Sequence, residues 1–357
     1  MRVAVISFTR RGIELSKRLA FCMEEKMEMR LFTKCGEYGR ERGGQNASVS
    51  FVQEAVSQWV GAQMEAGNAL LFIGACGIAV RAVAPHLKDK LHDSPVLVMD
   101  EKGRYVIPLL AGHVGGANEI AVLLGKRVGA APVITTATDI NGKFAVDVFA
   151  GKNGLFIADK EGIAKVSAKA LSGETITISI ETGHGPDTEP PEGVAVVDYP
   201  PAGRVDVAVT SEKRRFDATL VLRAREYVIG LGCKKGKSEA AIADFIADKL
   251  GELDIEATQI YALASVGLKR KEAGILAWCG KAGVPFFTYS AQELRKVEGN
   301  FCRSAFVEEK TGVDNVCERA AVRACGEGGR LIAGKDARDG MTLAVAKREW
   351  RVRFEKA

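Results

Sequence analysis

From Leu109 to Glu119 the chain reads Leu-Leu-Ala-Gly-His-Val-Gly-Gly-Ala-Asn-Glu. An imidazole changes charge near neutral pH and can take a proton from water or a hydroxyl. Glycines beside it allow backbone N–H groups to face an anion where a loop enters a helix. His113 and Glu119 are therefore the candidate catalytic side chains, with Gly112, Gly115, Gly116 and Asn118 as candidate substrate contacts. The competing reading is a tight turn in which the glycines satisfy backbone geometry and the histidine only caps it.

Two further turns carry similar residue types. Ile73-Gly74-Ala75-Cys76-Gly77-Ile78-Ala79-Val80-Arg81 is a strand end, a turn and a helix start. Gly74 and Gly77 would let a ligand approach the backbone, and Arg81 can hold a carboxylate in a bidentate clamp. The alternative is close helix–strand packing with a surface arginine. Gly230-Leu231-Gly232-Cys233-Lys234-Lys235-Gly236-Lys237-Ser238 superficially resembles a phosphate loop, but the required first glycine is replaced by Leu231, which excludes an ATPase motif. What is left is a basic turn at a helix N-terminus. Lys234, Lys235 and Ser238 are its candidate substrate contacts, against the alternative of a solvated basic turn. No Gly-x-Ser-x-Gly elbow is present, and no dinucleotide fingerprint follows the first strand. His86 and His92 are expected at the surface, and His184, in the breaker-rich segment 182–193, in solvent.

These turns need rigid elements to hold them. Val3–Ile6 predicts a first strand, and Thr9 can cap a helix through Ile13, Leu15, Leu19 and Cys22. Residues 33–47 predict a loop, followed by a helix around Phe51–Met64. Ala69–Ile73, Val96–Met99 and Pro132–Ile134 are short, wholly apolar runs, the mark of parallel strands covered on both faces. A second texture begins near residue 139, with a helix over Lys160–Leu171 and strands at Thr175–Ile180, Val194–Val197, Val205–Val209 and Thr219–Leu222. A third begins at Tyr227 and closes on a strand at Thr342–Ala346. The expectation is a multi-domain α/β protein with parallel or mixed sheets flanked by helices. Its domains would be 1–138, carrying the His113 loop, a smaller central α/β domain at 139–225, and 226–357.

Composition narrows the function. The chain has 357 residues, 47% hydrophobic and 27% charged, with a formal net charge of +5. The positive excess is mild and dispersed, which suits an anionic small molecule and not a duplex. Aromatic residues make up 7%, which disfavours a base-stacking platform. Eight cysteines occur with no C-x-x-C pair, so no zinc or iron–sulfur site is expected and the thiols suit a reducing cytosol. No stretch approaches the ~18 apolar residues of a membrane span, and the first apolar run is too short for a signal sequence. A cytoplasmic protein with no nucleic-acid or membrane partner is expected.

Taken together, the motifs resemble the cobalt-precorrin-5A hydrolase family of anaerobic cobalamin biosynthesis. The matching runs are Gly74–Arg81, Val98–Glu101, Leu109–Asn118, Thr135-Thr136-Ala137-Thr138-Asp139, Gly230–Gly236 and Thr311–Ala321. They span nearly the whole chain; the middle is least distinctive, and Asp93-Ser94-Pro95 departs from the Asp-Pro of the family. The resemblance implies a cobalt-containing, ring-contracted tetrapyrrole substrate with a δ-lactone. Water opens the lactone, acetaldehyde leaves, and the product is cobalt-precorrin-5B. The cobalt arrives in the substrate, so no cofactor is implied. Helix N-termini and a few Arg or Lys would each hold one carboxylate of the macrocycle. Ester opening needs an activated water and a stabilised oxyanion. His113 would be the base, Glu119 would orient it or act in its place, and the N–H groups of Gly115 and Gly116 would face the oxyanion. A homodimer and transient contacts with neighbouring pathway enzymes are further expectations. The other class to weigh is a non-catalytic corrinoid carrier, since the C-terminal part resembles a domain found alone in cobalamin pathways. A nucleotide-binding protein fails on motif spacing.

Overall fold

The computed structural model describes residues 2–41, 49–88, 93–113, 115–213 and 215–354. The chain forms two compact units, Met1–Gly142 and Lys143–Ala357.

The first unit is built on strands β1 (Arg2–Ser7), β2 (Glu28–Thr33), β3 (Val49–Phe51), β4 (Ala69–Ile73), β5 (Val96–Met99), β6 (Tyr105–Leu110) and β7 (Ala131–Pro132), in the order β3-β2-β1-β4-β5-β6-β7. β4 and β5 are buried along their whole length, as expected of strands covered on both faces. Helices Arg10–Met23 and Ala117–Val128 cover one face through Ile13, Leu19, Ile120 and Leu124. Helices Val56–Glu65 and Cys76–Val83 cover the other through Trp59, Val60, Ala79 and Val83. Burying a side chain such as Phe72, fully enclosed here, contributes roughly 1.5–3 kcal/mol. Thr9 caps the first helix, accepting the Gly12 N–H at 3.0 Å.

One strand of this sheet matters most for function. β1, β2, β3, β4 and β5 are mutually parallel, but β6 runs antiparallel to β5, with Leu110 opposite Val96 and Val106 opposite Met99. The loop after β6 therefore emerges where the parallel strands begin. The turn after β4 lies at the other edge, where Gly74 N–H donates to Met99 O.

The second unit holds two sheets. The smaller has β8 (Leu155–Ile157), β9 (Ile176–Ile180), β10 (Val194–Val197), β11 (Val205–Thr210) and β12 (Ala218–Ala224), ordered β10-β9-β11-β12-β8, with β8 antiparallel. The larger has β13 (Tyr227–Cys233), β14 (Ile260–Val266), β15 (Phe286–Tyr289), β16 (Arg330–Arg338) and β17 (Met341–Lys347), ordered β15-β14-β13-β17-β16. Helices Glu239–Glu252 and Ala273–Ala282 pack on one face of it and Cys317–Cys325 on the other. The last helix comes so close that a Cβ on Gly230 would stand 1.8 Å from Cys317 O. This contact accounts for glycine at Gly230.

The first compact unit runs to Gly142, with Thr138 and Asp139 both bonded to the His113 loop, and residues 143–357 form the second. Several local expectations are corrected. The chain after β17 returns to the smaller sheet, where Val352 N–H donates to His184 O and Phe354 stacks on Phe149 at 5.1 Å. His184 is not free in solvent: it lies flat on Trp350 at 3.9 Å, and its Nδ1 meets Trp350 O at 2.7 Å. His86 packs beneath helix Val56–Glu65, with Nε2 3.0 Å from Ser57 Oγ; His92 lies outside the described residues. The expected loop at 33–47 contains a short helix, Gly36–Glu41. Of the expected strand Pro132–Ile134 only Ala131–Pro132 pairs, and both residues are exposed.

Candidate active site

The loop Ala111–Gly116 is shaped by close contacts that only small residues permit. Ala111 and Gly116 hold left-handed backbones, with φ of 52° and 83°. A Cβ on Gly112 would stand 2.7 Å from Asn118 Oδ1, and one on Gly115 would stand 2.5 Å from Ala111 Cβ. Ala117 and Asn118 N–H groups donate back to Ala111 and Gly112 carbonyls at 3.1 and 3.0 Å. The turn thus folds onto the first residues of helix Ala117–Val128 and fixes where His113 points.

The imidazole meets the short helix Ala137–Ile140. His113 Nε2 is 3.1 Å from Asp139 Oδ2 and 3.3 Å from Thr138 Oγ1. Asn118 Nδ2 donates to the same Asp139 oxygen at 2.5 Å and to Thr136 Oγ1 at 3.1 Å. The imidazole is 14% exposed and the Asp139 side chain 36%. A carboxylate at Nε2 favours the tautomer protonated there, which makes Nδ1 the basic nitrogen, and it stabilises the imidazolium that forms on proton uptake. Sequence reasoning passes over Asp139, Thr138 and Thr136, although all three stand in the run Thr135–Asp139. The signal available was a carboxylate and hydroxyls next to the first unit's end, with nothing in the spacing to say that they fold back onto residue 113.

Other expected residues take different places. Glu119 is exposed in the first turn of the helix. The Asn118 side chain donates to Asp139 and to Thr136. Gly116 N–H donates to His113 O at 2.8 Å, closing the turn, and so is withdrawn from an oxyanion. Gly115 N–H makes no hydrogen bond among the described residues. Gly74, Gly77 and Arg81 are not brought to His113: they belong to the opposite edge of the sheet, at least ~10 Å away by strand rise alone. There Gly74 packs under Phe8, and Arg81 Nη1 turns back to Gly77 O at 3.3 Å.

Lys234 and Lys235 lie in the second unit, on a cavity of about 790 Å³ at the carboxyl edge of β13 and β14. Ser238 is not on it; its Oγ caps helix Glu239–Glu252 by accepting Ala241 N–H at 3.2 Å. Two of the three lining carboxylates, Glu272 and Asp314, are already engaged. Burial disfavours the charged form of Glu272, but the Gly236 amide at 2.6 Å and Lys269 at 3.0 Å outweigh it, and the carboxyl sits below its usual range. Asp314 is also held low, chiefly by the hydrogen-bonded Arg319 guanidinium at 2.8 Å. Burial pushes the Cys317 thiol up to about 11, so it is a neutral thiol at pH 7 and a poor nucleophile. Among the described residues no group of three or more His, Cys, Asp or Glu is placed to hold a metal ion, and no helix is long and apolar enough to cross a membrane.

Residues 58–139 match the family model described as cobalamin synthesis G N-terminal, and residues 227–346 match cobalamin synthesis G C-terminus. The cobalt-precorrin-5A hydrolase of Salmonella typhimurium is 32% identical over 336 residues, 89% of this chain and 90% of the relative. The enzyme of that name from Priestia megaterium is 31% identical over 336 residues, 89% of this chain and 88% of the relative. This chain belongs to the cobalt-precorrin-5A hydrolase family. A solved cobalamin biosynthesis protein G homologue from Sulfolobus solfataricus covers 97% of both chains at 22% identity, with a TM-score of 0.40. The N-terminal family match begins inside helix Val56–Glu65 and ends on Asp139, so it holds both partners of the His113–Asp139 pair.

Proposed function

We propose that this protein hydrolyses the δ-lactone of cobalt-precorrin-5A and releases acetaldehyde, giving cobalt-precorrin-5B. Family membership supports the reaction. The observation that carries the mechanism is the 3.1 Å pairing of His113 Nε2 with Asp139. His113 Nδ1 takes a proton from water as the oxygen attacks the lactone carbonyl, and Gly115 N–H faces the oxygen that becomes negative. Collapse breaks the ring C–O bond. The imidazolium returns its proton to the departing alkoxide, leaving a free carboxyl and a hydroxyl. Deprotonation of that hydroxyl by the same imidazole lets the C–C bond break, the electron pair passing into the macrocycle as acetaldehyde leaves. Asp139 holds the ring and stabilises its charged form; Asn118 and Thr136 hold Asp139 in turn.

The protein brings no cofactor to this scheme, and the cobalt is part of the substrate. A cytoplasmic location, a homodimer and transient contact with neighbouring pathway enzymes belong to the same proposal, and sedimentation of the purified chain tests the second. The central experiment is acetaldehyde release from cobalt-precorrin-5A by the wild type and by His113→Gln. The variant should bind substrate and lose about 10³-fold in kcat. Wild-type rates in the variant remove His113 from the mechanism, and a wild type that binds without releasing acetaldehyde makes the protein a carrier.

A further inference from the structure

The cavity of the second unit has two kinds of wall. One is apolar and open: Leu268 and Phe306 line it yet remain 70% and 67% exposed. Several large apolar side chains are exposed elsewhere, Phe21 at 81% among them, but these two share one concave surface, which offers an apolar rest for a ligand. The other wall is cationic. Lys234, Lys235 and Lys335 line the cavity, and among the described residues none of the three forms an ion pair. Three carboxylates also line the cavity: Glu272 is bound by Lys269 and the Gly236 amide and feels Lys235 as well, Asp314 is bound by Arg319, and Asp339 forms no ion pair among the described residues, so the three ammonium groups outnumber the one carboxylate left to them.

The cationic wall is also held in place. Glu318, 3% exposed, accepts Lys335 N–H at 2.7 Å through one oxygen, and Cys302 N–H at 2.7 Å and Asn315 Nδ2 at 2.6 Å through the other. A buried carboxylate with three donors fixes the bulged strand β16 against helix Cys317–Cys325, and so fixes the point from which Lys335 extends. The Lys234 stem lies along Gly340, where a Cβ would stand 2.9 Å from its Cδ. The location fits as well, since ligands of open α/β sheets settle beyond the carboxyl ends of the strands.

We propose that this cavity binds the corrinoid and selects it by charge, the apolar face of the macrocycle lying on Leu268 and Phe306 and its free carboxylates meeting Lys234, Lys235 and Lys335. The proposal rests on the corrinoid reading above, but the cavity's preference is separate from turnover. A macrocycle whose carboxyls are capped as esters or amides leaves the ammonium groups unmatched and loses the charge-assisted bonds.

The test titrates the full-length protein with cobyrinic acid and, in parallel, with its methyl ester, by calorimetry and by the corrin absorbance. The wild type should bind the acid at least tenfold more tightly than the ester. Lys335→Ala should weaken the acid roughly tenfold, with a shallower salt dependence, and leave the ester unchanged. Phe306→Ala, at an exposed position, should weaken acid and ester alike. His113→Gln should bind the acid as the wild type does. Equal affinity for acid and ester, or undiminished acid binding in a Lys234→Ala/Lys235→Ala/Lys335→Ala variant of wild-type thermal stability, overturns the proposal. Acid binding with this pattern but no acetaldehyde from the lactone would sink the hydrolase reading and leave the cavity assignment standing.

Discussion

The two units put their polar clusters at opposite edges of their parallel strands, and in each a reversed strand decides the outcome. In the first, β6 carries the chain back to the starting edge, so the His113 loop opens beside Val96 and Pro95. In the second, β17 begins opposite Cys233 at the carboxyl edge, so the turn from Arg338 to Thr342 joins Lys234 and Val266 in walling a cavity. The clusters differ in kind as a result. Around His113 the polar side chains satisfy one another: imidazole, carboxylate, amide and hydroxyl form one compact network. Such an arrangement is suited to holding and moving a proton. Around Lys335 the ammonium groups of Lys234, Lys235 and Lys335 form no ion pair among the described residues and stand beside bare apolar surface, an arrangement suited to holding an amphiphilic anion.

The sharpest way to break this contrast is to remove charge from the first cluster without removing shape. Asp139→Asn keeps a hydrogen-bonding group near His113 Nε2 but favours the opposite tautomer and no longer stabilises the imidazolium. We expect kcat for acetaldehyde release to fall about 10²-fold with KM little changed. Cobyrinic acid binding should not change. An unaltered kcat would reduce Asp139 to a structural neighbour.

The second cluster can be broken through its scaffold. Arg319 donates to both Asp314 oxygens, at 2.8 and 3.2 Å, and to Val297 O at 2.7 Å, with side chains only 12% and 15% exposed across the pair. Arg319→Met should cost about 3 kcal/mol of stability at pH 7, because a shielded carboxylate loses its closer partner and keeps only the exposed Arg303 at 3.5 Å. The pH dependence follows from the depressed Asp314 pKa, whose main cause is this guanidinium. A folded-state pKa below the unfolded value of about 3.9 stabilises fully above that value and ceases to as pH falls through the folded one. Urea denaturation at pH 7 and pH 3 should therefore show the gap between wild type and variant closing at the lower pH. A constant gap would mean that the Arg319 contacts to backbone, and not the ion pair, carry the effect.

Much of the framework was legible in the chain. The buried runs Ala69–Ile73 and Val96–Met99, the Thr9 cap and the helix after Gly116 follow from local pattern, since burial on both faces and capping are properties of a few adjacent residues. The site was half legible. His113 stood out because its glycines are sequence neighbours, whereas Asp139 is 26 residues away and its approach depends on the direction of β6. The cavity shows the same limit more severely. Lys234, Leu268, Phe306 and Lys335 come from four separate segments, and no spacing rule joins them. Ser238 shows a local ambiguity: the residue type that starts a helix also binds anions, and its Oγ caps here.

Arg81 tests the edge argument with the smallest expected effect. Its guanidinium reaches Gly77 O at 3.3 Å and is exposed at the carboxyl edge of the first sheet, while His113 belongs to the amino edge. Type alone made it a carboxylate clamp; topology removes it from the imidazole's neighbourhood. An exposed substitution away from packing or capping features shifts stability by no more than about 0.5 kcal/mol. Arg81→Ala should accordingly keep kcat and KM for acetaldehyde release within about twofold of wild type. A large rise in KM would show that the carboxyl edge of this sheet also handles substrate, and the division of labour drawn between the two edges would have to be abandoned.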